Sequence, residues 1–91
     1  MILITVAGGV GQESREFRKA FSESVCLLSP DNTPMYDFNI LNANGMLVVG
    51  ANGITAQRTK INETFQLDGL CTLYITNAVD DGVYSVEIFT K

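Results

Sequence analysis

The chain has 91 residues, of which 6 are Lys or Arg and 10 are Asp or Glu, so its formal net charge is −4 at pH 7. It contains no histidine, which excludes histidine-based catalysis, histidine metal sites and a histidine pH switch. The acidic balance also argues against binding to a nucleic-acid backbone, because that contact needs clustered Lys and Arg. The length corresponds to one domain, residues 1–91.

A short apolar run opens the sequence. Residues 1–6 are far fewer than the ~20 apolar residues that a transmembrane helix requires. No Lys or Arg precedes them, as a signal peptide would need. We therefore expect synthesis in the cytoplasm without a signal peptide, and no membrane partner.

A group of glycines follows this run. Gly8, Gly9 and Gly11 separate the apolar run from a polar segment, an order that partly matches a dinucleotide-binding loop. Ser14 stands where that motif has its third glycine, and a chain rich in hairpin signals lacks the further parallel strands of that fold. We interpret these glycines as a turn that ends a first strand.

The segment 12–24 departs from the strand-like pattern of the rest of the chain. Phe17, Ala20 and Phe21 have i, i+3, i+4 spacing, and charged residues occupy many of the positions between them. This spacing predicts a short amphipathic helix. The alternative is an ordered loop whose two phenylalanines pack under a sheet.

The two cysteines do not form a recognisable metal-binding pattern. Cys26 and Cys71 match no Cys-x-x-Cys spacing, and a structural zinc site needs four ligands. Each lies in an apolar run, where a free thiol behaves as a small buried hydrophobic group. We expect two free, buried thiols, with a disulfide as the alternative.

The remainder of the chain reads as short strands separated by turn residues. Asn-Gly and Asp-Gly pairs favour hairpin turns because they accept positive φ. Three occur between residues 44 and 69: Asn44-Gly45, for which we predict a two-residue type I′ turn, Asn52-Gly53 and Asp68-Gly69. Strands are predicted at residues 36–41, 46–49, 70–76 and 83–89, with a β-tolerant stretch at residues 54–67.

Apolar side chains alternate in the last two predicted strands. One face of each strand carries the apolar residues: Cys71, Leu73 and Ile75 in the first, and Tyr84, Val86 and Ile88 in the second. Such one-sided strands are typical of two sheets packed face to face. The sequence therefore predicts an all-β fold, an antiparallel β-sandwich.

Signals for chemistry are weak. Asp80 and Asp81 are adjacent, but the Asp-x-Asp-x-Asp-Gly loop of a calcium site is missing, so we interpret them as a solvated turn. No spacing among the acidic residues singles out a catalytic pair. We expect no enzymatic activity, no metal and no cofactor. Four aromatic residues either offer a stacking surface for a sugar or a base or lie in the core: Tyr36, Phe38, Tyr74 and Phe89.

One stretch resembles the E–F region of immunoglobulin-like domains. That family pattern runs Leu-x-Ile, a short turn and Asp-x-Gly-x-Tyr, and it falls here on Leu73, Ile75, Asp80, Gly82 and Tyr84. The resemblance implies an immunoglobulin-like sandwich. It also implies that the Tyr84 hydroxyl bonds to the backbone a few residues upstream.

The chain differs from the family pattern in three respects. Val86 occupies the cysteine position, there is no tryptophan, and no strand follows the one at residues 83–89. The last difference predicts that this strand is an exposed edge, which a protein partner would cover. The candidate interface residues are Phe17, Phe21, Val83, Ser85, Glu87 and Phe89.

The resemblance also suggests a function. Immunoglobulin-like and related β-sandwiches are common among phage head-decoration and tail proteins. We therefore expect a non-enzymatic structural protein, a small virion accessory protein that associates with its own copies and docks on a larger capsid or tail protein. The alternative is a β-sandwich module that binds a carbohydrate or a receptor.

Overall fold

Seven antiparallel strands make up the regular structure of the described residues. The computed structural model describes residues 1–30 and 35–91, and within these residues there is no helix. The strands are β1 (Ile2–Ala7), β2 (Gln12–Leu28), β3 (Tyr36–Leu41), β4 (Leu47–Ile54), β5 (Arg58–Ile61), β6 (Phe65–Thr76) and β7 (Val83–Thr90).

The strand order is β1-β7-β2-β6-β3-β4, and β5 pairs with β2. Residues 12–22 of β2 pair with β6, whereas residues 22–28 pair with β7 on one side and, from residue 25, with β5 on the other. Strand β2 therefore belongs to both layers of a β-sandwich. One layer contains β1, β7 and β5, and the other contains β6, β3 and β4.

The core lies between the layers and is built from alternating side chains. The predicted inward faces of the last two strands are confirmed, since all six of their apolar residues are buried. Across the core, the rings of Tyr36 and Tyr84 meet edge to face with their centres 4.8 Å apart. The prediction of free, buried thiols is also confirmed for Cys26 and Cys71.

The segment 12–24 is part of strand β2, so both the predicted helix and the alternative loop are wrong. Phe17 is buried, Ala20 is half-buried and Phe21 is exposed, and the register with β6 shifts between Phe17 and Ala20. The irregularity places Phe17 and Ala20, three residues apart as on a helical face, on the inward side of the strand, whereas Phe21 points outward. Backbone pairing with β6, a long-range interaction, outweighs the local helical pattern.

The first Asx-Gly pair forms a turn, although of a different type from the predicted one. The Asn42 C=O accepts the Gly45 N–H at 2.9 Å, and the Asn42 N–H donates to the Met46 C=O at 2.9 Å. Gly45 has a φ of 78°, whereas Asn44 does not have positive φ. The reversal therefore spans residues 42–45 and is not a two-residue type I′ turn.

The other two Asx-Gly pairs do not form hairpins, which corrects the sequence prediction. Gly53 lies within β4 and Gly69 within β6, and their φ angles are 65° and 72°. A glycine with positive φ is as suitable for a bulge inside a strand as it is for a turn. Gly69 lies opposite Phe17, next to the register shift in β2.

Strand β7 is an interior strand, so the prediction of an exposed edge at residues 83–89 is wrong. Strand β1 pairs with one side of β7 along its whole length, and β2 pairs with the other side. The first strand of the chain thus supplies the neighbour that the sequence pattern left missing. Alternation within a strand does not reveal which distant strand pairs with it.

The two tyrosines of the core differ in their hydrogen bonding. The Tyr84 hydroxyl donates to the Asp80 C=O at 3.0 Å, whereas the buried Tyr36 hydroxyl oxygen has no hydrogen-bond partner among the residues that the structure describes. Burial, with smaller contributions from Tyr84 and Cys26, raises the pKa of Tyr36 to about 12.

We predict opposite effects for the two Tyr→Phe substitutions. Tyr36→Phe removes an unsatisfied buried hydroxyl and should raise the free energy of unfolding by about 1 kcal/mol, whereas Tyr84→Phe should lower it by about 1 kcal/mol. Urea unfolding at pH 7 measures both. Equal destabilisation by the two substitutions would contradict this account.

The buried hydroxyl of Tyr36 also makes the free energy of unfolding depend on pH in the alkaline range. Unfolded Tyr36 ionises near pH 10 and the folded residue near pH 12. The free energy of unfolding is therefore independent of this group below pH 10 and falls as the pH rises toward 12. Two pKa units correspond to roughly 2–3 kcal/mol. Tyr36→Phe should therefore lose less stability than the native chain between pH 9.5 and 11.5.

Candidate functional site

The motif that resembles immunoglobulin-like domains forms a tight corner before β7. Asp80 Oδ1 accepts the Gly82 N–H at 2.7 Å, and the Tyr84 hydroxyl closes the corner on the Asp80 C=O. A side chain at Gly82 would clash, because its Cβ would lie 2.9 Å from Pro30 Cβ. Leu73 and Ile75 are buried in β6. These contacts stabilise the fold at the start of β7.

The β1–β2 turn packs on this corner. The Gly8 N–H donates to the Gly82 C=O at 2.7 Å, and the Gly11 C=O accepts the Ile75 N–H at 2.9 Å. A Cβ at Gly8 would clash with the Asp80 carbonyl oxygen. The interpretation of the glycines as a turn that ends the first strand is thus confirmed, since β1 ends at Ala7.

A carboxylate joins three elements at an exposed position. Asp37 Oδ1 accepts the Gly53 N–H at 2.8 Å, and Asp37 Oδ2 accepts the Asn77 Nδ2–H at 2.7 Å. These two hydrogen bonds, the first being the stronger cause, hold the pKa of Asp37 below its ordinary value. Asn77 has a φ of 55°, a conformation that asparagine accepts more readily than most residues.

Neither a metal-binding cluster nor a cavity is found among the described residues. No three Cys, Asp or Glu side chains among residues 1–30 and 35–91 are close enough together to hold a metal ion, and these residues enclose no cavity. Two of the four aromatic residues considered for stacking, Tyr36 and Phe38, are buried in the core. They therefore cannot join Tyr74 and Phe89 in a surface for a sugar ring.

The candidate interface residues separate into buried and exposed groups. Phe17 is 7% exposed and belongs to the core. Ser85 and Glu87 are half-buried on the outer face of β7. Val83, Phe21 and Phe89 are exposed, and the last two lie on adjoining segments, since the Phe21 C=O accepts the N–H of Lys91, two residues after Phe89.

An apolar surface forms on the outer face of β1 and β7. Leu3 lies opposite Glu87 in the ladder between these strands, so it is a diagonal neighbour of Phe89 on the same face. Met1 precedes Leu3 by two positions and shares that face. This arrangement brings three apolar side chains together.

Phe21 extends this surface from β2. Its C=O accepts the Lys91 N–H at 2.9 Å, and the next residue, Ser22, is buried opposite Thr90, so Phe21 points outward. Lys19 Nζ lies 5.9 Å from the centre of the Phe21 ring. We call the four side chains the apolar patch: Met1, Leu3, Phe21 and Phe89, which are 65%, 51%, 53% and 36% exposed.

Sequence reasoning identified only half of this patch. Phe21 and Phe89 were candidates, whereas Met1 and Leu3 were not. The sequence did contain a signal for Met1 and Leu3, because residues 1–7 are largely apolar at odd and even positions alike. A strand that is apolar on both faces is typical of one that is covered on both faces.

Comparisons with known proteins give no assignment. No protein-family model matches the chain, and no curated protein matches it. Within the described residues, no helix has the length and apolar character needed to span a membrane.

The Asp37 hydrogen bonds predict a specific acid dependence of stability. Because the pKa of folded Asp37 is lowered, its stabilising contribution is present above the unfolded pKa, near 3.8, and is lost as the pH falls below it. Asp37→Asn should therefore unfold more readily than the native chain at pH 6, and the difference should shrink toward pH 2. Urea unfolding across this range measures the difference.

Asp68→Asn is the control, since it makes the same change in net charge at an exposed position of β6. If this variant showed the same pH-dependent difference, the effect would reflect overall charge and not the Asp37 hydrogen bonds.

Proposed function

We propose that this protein is a non-enzymatic structural protein that works by binding other protein subunits, its own copies among them. The observation that carries this proposal is the apolar patch. Single exposed apolar residues are ordinary on protein surfaces, whereas adjacent ones mark surfaces of contact. Here four such side chains lie on, or directly before, the adjoining strands β1, β7 and β2 and are exposed.

The composition of the patch fits a protein partner. Aromatic residues and Met are enriched at the centres of protein interfaces, where large side chains supply most of the binding energy. Phe21 and Phe89 are the two aromatic members. The Lys19 cation lies 5.9 Å from the centre of the Phe21 ring and gives the patch a polar rim toward that side.

The class of partner follows from the immunoglobulin-like resemblance. The Tyr84 hydroxyl bond to Asp80 is the contact that this resemblance implies, so the geometry supports the resemblance at its most specific residue. On this basis the larger partner is a capsid or tail protein, and the chain is a decoration protein or a tail component. The carbohydrate-binding alternative receives less support, because two of its four aromatic residues are buried.

Light scattering across a concentration series tests the use of the patch in self-association. The variant with both Phe21→Ser and Phe89→Ser should raise the dissociation constant of the native oligomer at least tenfold, about 1.4 kcal/mol or more. Met46→Ser is the control, because Met46 is 64% exposed and lies at the β3–β4 turn. An oligomer that both variants leave unchanged would exclude the patch from self-association.

A second test addresses the assembly. If the chain decorates a capsid, capsids that carry it should withstand a higher temperature than capsids that lack it, as followed by the release of their contents. The double serine variant should lose this protection while Met46→Ser keeps it. Protection that persists in the double serine variant would show that another surface docks.

A further inference from the structure

The outer edge of β1 is open in the part of the chain that the structure describes. Strand β1 stands at one end of the strand order, and its ladder with β7 runs for six residue pairs without a register shift. An open edge of this kind presents unpaired backbone groups to solvent, and it serves as a template for another strand.

The hydrogen-bonding pattern shows which groups point outward. The Gly8 N–H donates to the Gly82 C=O, the residue opposite it, so even-numbered residues of β1 exchange hydrogen bonds with β7. The N–H and C=O groups of Leu3 and Thr5 therefore point away from β7. Consistent with this, the Leu3 C=O accepts a hydrogen bond from the Arg15 guanidinium at 3.3 Å.

The other open edges of the described strands are protected. Residues 12–21 of β2 pair only with β6, but this part of β2 contains Glu, Arg and Lys at many positions. Strand β5 carries Arg58 and Lys60. Strand β4 has no charge, yet its ladder with β3 shifts register twice. Charges and bulges are the usual means of blocking an edge. Strand β1 itself contains neither, although the Arg15 guanidinium of β2 lies on its edge at the Leu3 C=O.

We infer that a second copy of this chain covers the β1 edge, with the two β1 strands antiparallel about a twofold axis at Ile4. In this register Leu3 lies opposite Thr5 of the second copy, and the outward groups of the two residues form four N–H···O=C bonds, in which the Leu3 C=O accepts a second hydrogen bond beside the one from Arg15. The inference deepens the proposed function and rests on it, since it adds a contact through β1 to the association of copies through the apolar patch.

Two observations favour a second copy as the occupant. The outward groups at residues 3 and 5 are self-complementary about Ile4, so one strand suffices for both sides of an isologous contact. Each chain carries a net charge of −4, which opposes association in general, but β1 has no charged residue and its two copies meet without like charges opposite each other. The half-buried Ile2 would also be covered by Val6 of the second copy.

This contact leaves the apolar patch accessible. Met1 and Leu3 lie on the outer face of the sheet, whereas the new hydrogen bonds lie in the plane of the sheet. A dimer formed through β1 therefore presents two patches on one extended face, which a larger protein partner can bind.

The experiment combines mass and amide exchange on the full chain. Light scattering should show a dimer, and Thr5→Pro should raise its dissociation constant at least tenfold, because proline removes an N–H that β7 does not use. Thr5→Lys, which places a charge on the edge strand, should act in the same direction. Val83→Lys is the control, because it adds the same charge to the same face on the interior strand β7.

Amide exchange by NMR gives the residue-level readout. The N–H groups of Leu3 and Thr5 should exchange more slowly as concentration rises, whereas those of Ile4 and Val6, already bonded to β7, should not change. A chain that stays monomeric at millimolar concentration would overturn the inference. So would protection of Leu3 and Thr5 that is independent of concentration, since it would mean that the edge is covered within the chain.

The outcomes also separate this inference from the proposed function. If the dimer persists in Thr5→Pro but is lost in the double serine variant of the patch, the β1 contact is refuted and the function stands. If the native chain is monomeric and gives capsids no heat protection, both fail.

Discussion

The pairing of β2 with strands of both layers is the constraint on which the rest of the structure depends. Its first part bonds to β6 and its second part to β7 and β5, so one continuous backbone connects the two halves of the sandwich. Its side chains follow the same division, exposed at residues 12–16 and buried at residues 24–27. The polar part extends along the surface, and the buried part fills the core.

The crossing between layers requires local irregularity, and polar side chains stabilise it. The register of β2 with β7 shifts between Ser22 and Ser24, where backbone carbonyls would otherwise lack partners. Ser22 Oγ lies 3.2 Å from both the Ser24 and the Phe89 carbonyl oxygens, within reach of either. A small hydroxyl side chain fits this buried position because a larger polar group would need further hydrogen-bond partners.

The sequence specified the local elements better than their pairing. Strand signals between turns correctly placed β3, and alternation correctly placed the inward faces of β6 and β7, because a one-sided strand needs only a covered face. The Tyr84 corner followed from the motif, since its hydrogen bond spans four residues. The helix prediction failed because a bulge in β2 puts Phe17 and Ala20 on one face at helical spacing, while Phe21 points outward. Gly53 and Gly69 were misassigned because turns and bulges both use positive φ.

The candidate surface was predicted only in part for a related reason. Phe21 and Phe89 stand out in the sequence as isolated aromatic residues in polar or edge segments. Met1 and Leu3 join them only because β1 lies beside β7, and that neighbourhood depends on pairing between distant parts of the chain. Periodicity within a segment carries no information about such pairing, so the patch becomes visible only in the folded structure.

The pairing of β1 with β7 also has a consequence for how the chain folds. Ile2 finds its partner at Ile88, so this ladder closes over nearly the whole chain, and all-β folds dominated by such distant contacts fold slowly. During synthesis β1 emerges long before β7. Until then it is an unpaired, uncharged strand, and pairing of β1 strands between nascent chains competes with native folding.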